Sequence, residues 1–147
     1  MENKQSATKS AKAYLLQIRK TDQIVQRLLE ARFSLRSSLY STGAPLSGMP
    51  GGARDPDRTG RTIARLDELE RRIDAYVDEL VARKAEAFAR ITRLPELAEQ
   101  DVLIARYIQL KPWPVIAREM HYEERQVYRI HGNALKNFES VLAQTCQ

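Results

Sequence analysis

The sequence predicts an all-α protein: two long N-terminal helices, forming a hairpin or coiled coil, followed by a three-helix domain of helix-turn-helix type. Three observations lead there. Apolar residues recur at helical spacing over two stretches of roughly thirty residues each. Five of the six glycines (Gly43, Gly48, Gly51, Gly52, Gly60) and three of the six prolines (Pro45, Pro50, Pro56) fall together between residues 43 and 60. No segment shows the sustained alternation of a half-buried strand.

The first helix is expected over residues 10–40, where Ile18, Val25, Leu28, Leu35 and Leu39 recur at threes, fours and sevens and Leu15 and Leu29 widen the stripe. Thr21 and Arg32 interrupt it. The Gly/Pro-rich stretch at 43–60 cannot continue a helix and reads as a long loop or linker. A second helix is expected over 61–92 on Ile63, Leu66, Ile73, Val77, Leu80 and Ile91, with Glu70 and Lys84 inside the seam. Each helix would be roughly 40–50 Å long, and neither can bury its stripe alone. They pair with each other or with a second copy of the chain, a homodimer through the long helices. Pro95 ends the second helix, which divides the chain into residues 1–93 and 94–147. In the C-terminal part, helices are expected over 96–109, 113–120 and 124–143, broken at Lys111-Pro112 and at His121-Tyr122-Glu123.

The 147 residues carry 24 Lys plus Arg against 19 Asp plus Glu, a formal charge of +5, and the mean hydropathy is −0.50. A basic balance fits a polyanionic partner such as double-stranded DNA. One cysteine, Cys146, cannot form an intramolecular disulfide, and one Cys with two His cannot assemble a four-ligand zinc site. No run reaches the 18 or so apolar residues of a membrane span, and the polar N-terminus has no apolar signal core. The expected setting is a reducing cytoplasm.

Residues 113–130 fit a helix-turn-helix template position by position. Ala117 is the small residue where the two helices cross, flanked by Ile116 and Met120; Tyr122 is the apolar plug of the turn; Val127 and Ile130 face inward from the second helix. The spacing leaves that helix's N-terminal face free to enter a major groove. On that face stand Arg125, Gln126 and Arg129, with Tyr128 beside them. Arginine can pair bidentately with guanine, glutamine with adenine. Asn133 and Lys136 lie further along, where contacts are expected with the DNA backbone. The plain alternative is a solvated helix face, in keeping with Glu123 and Glu124 at its start. Charge complicates the reading: residues 94–147 hold six basic and seven acidic residues, so the positive excess lies in 1–93. Either the basic N-terminal helix supplies phosphate contacts or a partner supplies the missing affinity.

The run Glu124-Arg125-Gln126-Val127-Tyr128-Arg129-Ile130-His131-Gly132-Asn133-Ala134-Leu135-Lys136, with residues 107–110, Trp113 and Ile116-Ala117 before it, resembles the C-terminal domain of phage and prophage regulators of the ArpU/RinA type, most specifically over residues 125–129. Those domains are similar to region 4 of sigma factors. Residues 11–15 with Ile18-Arg19 resemble the family's opening, and residues 46–50 its mid-chain loop. The resemblance implies a sigma-region-4-like helix-turn-helix and a phage-encoded activator of late genes for packaging, structural proteins and lysis. Two positions depart from the family pattern: His121 stands where the turn has glycine, and Glu123 where the helix has a capping serine. Replacing such a cap costs about 1 kcal/mol.

Two other functions remain open on the sequence, a DNA-packaging protein like a terminase small subunit and a module that docks on host RNA polymerase. No Ser/His/Asp set, carboxylate pair or phosphate-cradling loop is present, and Gly51-Gly52 lacks the rest of a P-loop. No catalytic residue, metal site or cofactor is expected. Trp113, between Pro112 and Pro114, is expected to anchor its helix on the core, and His131 to be a surface or packing residue rather than a catalyst.

Overall fold

A computed structural model of the protein describes residues 3–41 and 56–145, and all regular structure in them is helical. Two long helices, α1 (Asn3–Ser41) and α2 (Pro56–Ile91), precede α3 (Leu97–Leu103), α4 (Trp113–Met120) and α5 (Glu124–Thr145). No helix among the described residues is long and apolar enough to cross a membrane.

Most of the expected loop, residues 43–55, lies outside the described residues, as do the stretch 46–50 and Cys146. Residues 56–60 differ from expectation: they form the first turns of α2. A proline at the first helical position forfeits no intrahelical hydrogen bond, and Asp57 in the first turn complements the helix dipole. Gly60 is helical here, with φ negative.

The chain divides into two compact units. One unit joins the described residues of Met1–Thr21 to those from Leu80 onward; the other is Asp22–Glu79. In the first, Ala11, Leu15 and Ile18 form one buried row of α1, and Ala87 and Ile91 one of α2. Phe138, Leu103, Ile116, Val102 and Val127 are fully buried with them. The Tyr14 and Phe138 rings lie 5.9 Å apart, and the Ala11 amide donates to Glu139 Oε2 at 2.8 Å. These contacts bring the start of α1 onto α5. Thr21, an interruption in the apolar seam, is buried with its hydroxyl donating to the Gln17 carbonyl at 3.0 Å, which satisfies it.

Among the described residues of the second unit, only Val25 and Ile73 are buried. Arg36 and Glu70 form an exposed ion pair there, and Ala31, Leu35, Ala64 and Leu69 line an open apolar groove.

Candidate nucleic-acid interface

The third helix ends in a wide turn. After Leu103 the backbone follows π-helical geometry over Ile104–Ile108, and the Gln109 amide donates to the Ile104 carbonyl at 2.9 Å. Leu110 then takes a left-handed conformation, φ 57°, and Lys111-Pro112 leads into α4. The continuous helix expected over 96–109 is therefore regular only to Leu103. A buried carboxylate ties it to α5: both oxygens of Glu99 accept from Asn137 Nδ2, at 3.0 and 2.8 Å.

Three residues separate α4 from α5. His121 is left-handed, φ 56° and ψ 37°, the Tyr122 amide donates to the Ala117 carbonyl at 3.0 Å, and the His121 amide to the Arg118 carbonyl at 3.3 Å. This is a Schellman closure with histidine at the position glycine favours, a substitution His tolerates better than a β-branched residue. At the start of α5 the Glu123 carbonyl accepts from Gln126 and Val127, and Gln126 Oε1 accepts from the Glu123 amide at 3.1 Å. Gln126 thus supplies the returning half of a capping box, offsetting in part the missing serine.

Around that turn Val102, Ala105, Ile116, Ala117 and Val127 form a buried cluster, with Trp113, Met120 and Ile130 packed against it. Five of the six expected core residues, Ile116, Ala117, Met120, Val127 and Ile130, thus belong to it. Tyr122 does not. It is 42% exposed and lines an open groove with Ile104, Glu119 and Met120. Its amide, not its ring, completes the turn.

All six residues expected to meet DNA are exposed: Arg125, Gln126, Tyr128, Arg129, Asn133 and Lys136. With α5 helical throughout, 125, 129, 133 and 136 run down one face, opposite the buried Val127, Ala134, Phe138 and Val141. Gln126 differs from the rest because its carboxamide oxygen is engaged as the cap.

Beside this face sits a cluster that sequence reasoning did not assemble. The Trp113 ring meets Tyr128 edge-on at 5.1 Å and His131 at 4.8 Å. His131 Nε2 shares a 2.8 Å hydrogen bond with the Tyr107 hydroxyl. Burial, then the positive charges of Lys12 and Arg106, lower the His131 pKa to about 4, so its imidazole is neutral near pH 7. Burial also raises the Tyr107 pKa. The Arg106 guanidinium lies 4.5 Å from the Trp113 ring centroid, and its Nη1 donates to the Lys111 carbonyl at 3.0 Å. Burial and then Arg19 lower the Arg106 pKa. The Arg106–Trp113 pair depends on the wide turn between them, which leaves no mark in the apolar pattern.

No group of three or more metal-ligating side chains occurs among the described residues. No family model matches the chain, and neither a curated protein nor a solved structure shows significant similarity to it.

Proposed function

We propose that this protein is a sequence-specific DNA-binding transcription regulator, with α4, the turn and α5 acting as a sigma-region-4-like helix-turn-helix. The observation that carries the reading is the sidedness of α5. Arg125, Arg129, Asn133 and Lys136 are exposed along one face while the opposite face closes the core. Two arginines four residues apart on an unobstructed helix face suit bidentate pairing with guanine edges in a major groove. Tyr128, held edge-on by Trp113, offers a ring for a sugar or base. Bidentate pairing of Gln126 with adenine takes its carboxamide oxygen from the cap, while its Nε2 donors stay available without that loss. The resemblance of residues 124–136 to ArpU/RinA-type regulators supports assigning the regulator to phage late genes. The half-exposed apolar face of Asp22–Glu79 supports a homodimer, which would read two half-sites.

The test begins with a genome-wide DNA pull-down by the full chain at about 150 mM salt, where nonspecific phosphate binding is already weakened. Enrichment of one short site is expected. Arg125→Ala with Arg129→Ala is then expected to weaken that site by about 1–3 kcal/mol per lost contact. Helix content by circular dichroism and mass by sedimentation are expected to stay unchanged. Full affinity in the double variant would overturn the assignment of these two arginines. Enrichment of nothing would overturn free DNA as the partner and make RNA polymerase the next bait.

A further inference from the structure

The two compact units differ in charge as well as in burial. Asp22–Glu79 contains nine basic and ten acidic residues, whereas the rest of the chain contains 15 basic and nine acidic. Residues 94–147 alone carry no positive excess; the fold brings the basic start of α1 and the end of α2 into the same unit.

Three of those cations stand on elements packed around α5: Lys12 and Arg19 on α1, whose Ala11 amide and Tyr14 ring meet Glu139 and Phe138 of α5, and Arg106 against Trp113, whose ring meets Tyr128 and His131 of α5. Arg106 is half-buried, with Trp113 under its guanidinium and the Lys111 carbonyl as its acceptor. Neither partner neutralises it. Lys12 and Arg19 are seven residues apart on α1, flanking the buried row of Ala11, Leu15 and Ile18 that seats the helix. Both positive charges are felt in the cluster, Arg19 at Arg106 and Lys12 at His131. None of the three makes an ion pair among the described residues. The carboxylate of Glu139, fixed near the start of α1, accepts from the Ala11 amide. Like charges on neighbouring elements without a directly paired carboxylate repel one another in the free protein, and an anion placed among them relieves that cost.

We propose that Lys12, Arg19 and Arg106 form a phosphate clamp that grips the DNA backbone beside the groove entered by α5. The inference rests on the DNA-binding reading and extends it to α1 and to the turn after α3. Continuity with the reading face runs through Trp113, which touches both Arg106 and Tyr128. Such contacts position the protein on a duplex and carry no base information. They also supply the electrostatic affinity that residues 94–147 lack.

The test measures binding of the full chain, by fluorescence anisotropy across a salt series, to two duplexes, one with the enriched site and one scrambled. In Lys12→Gln/Arg19→Gln the slope of log K against log salt is expected to be shallower by about 0.9 for each charge removed, on both duplexes. The affinity ratio between the duplexes is expected to hold. Arg106→Gln is expected to flatten the slope by a similar step, and Arg106→Lys to restore it. If Arg106→Gln does not fold, the double variant on α1 decides. An unchanged slope in the folded double variant would overturn the clamp, as would a wild-type chain that binds neither duplex. Equal wild-type affinity for both duplexes, with slopes still reduced in the variants, would keep the clamp and overturn the sequence-specific reading.

Discussion

The two compact units share α1 and α2, yet only one of them closes a core. In the unit containing the ends of the chain, α3, α4 and α5 add further walls, and Leu15, Ile91 and Phe138 are completely buried. In Asp22–Glu79 two helices are on their own. Val25 and Ile73 reach 5% exposure, while Phe33 stays 74% and Tyr40 84% exposed. The apolar repeat is as regular over Val25, Leu28, Leu35 and Leu39 as over Leu15 and Ile18. What differs is the number of helices available to meet it. Two helices can cover only one side of each other, so an apolar stripe states which face turns inward but not how deep it goes.

Removing one large side chain from each unit gives the sharpest test of that difference. Phe138→Ala empties a site where the ring is wholly buried and lies 5.9 Å from Tyr14. A loss of about 3–5 kcal/mol is expected, read as a lower midpoint in urea denaturation. Val25→Ala is expected to cost about 1–2 kcal/mol, because fewer atoms are lost and less surrounds them. Equal losses would break the comparison, showing that the two-helix unit is as tightly closed as the other.

The sequence was legible wherever a local rule governs. Helical periodicity, Pro95, Lys111-Pro112 and the His121–Glu123 break mark where the described helices lie, apart from the start of α2 at Pro56 and the π-helical turn over Ile104–Ile108, and Ile116, Ala117 and Val127 fall where the crossing of two helices demands them. It was not legible where one residue type serves two local roles, nor where distant residues decide. Pro56 was counted among the loop breakers, although in a first helical turn it breaks nothing. Tyr122 was expected to plug the turn because it is aromatic, but the Schellman closure needs only its amide. Gln126 was legible as an exposed polar residue and not as a cap. Nor could periodicity reveal that the described residues up to 21 and residues 80–93 pack with the C-terminal helices, since that depends on Tyr14 meeting Phe138 and Ala11 meeting Glu139. The excess of positive charge was therefore visible in the sequence while its location was not.

A smaller effect separates the closed unit from the open one by pH. His131 is depressed to about 4 by burial in its cluster, below its ordinary value of 6.5. Between those two values the unfolded chain binds a proton that the folded chain refuses, so this contribution is fully present above about pH 6.5 and is lost as pH falls towards 4. The imidazole keeps partial solvent contact, which reduces the expected loss to about 1–2 kcal/mol. His131→Gln keeps a polar partner for Tyr107 without titrating. Its stability, from urea midpoints at a series of pH values, is expected to fall less steeply than the wild type's across that window. Parallel curves would show that His131 is hydrated rather than shielded by Trp113 and Tyr107.

The smallest expected effects come from two helical glycines, one in each unit. Gly60 in α2 and Gly132 in α5 both have negative φ, and a Cβ added at either meets no atom within 4 Å. Glycine in a helix interior costs roughly 0.5–1 kcal/mol relative to alanine, largely through the freedom it has when unfolded. Gly132 lies in the middle of α5, where every residue gained in helix order counts towards the whole transition. Gly60 lies in the second turn of α2, in the unit with the thinner core, where a helix end can fray without unfolding the rest. Gly132→Ala is therefore expected to raise the urea midpoint by the larger amount, close to the full value, and Gly60→Ala by less. If the Gly60 substitution stabilised as much as the other, the two-helix unit would be unfolding together with the closed one, and the difference between them would lie in burial alone and not in cooperativity.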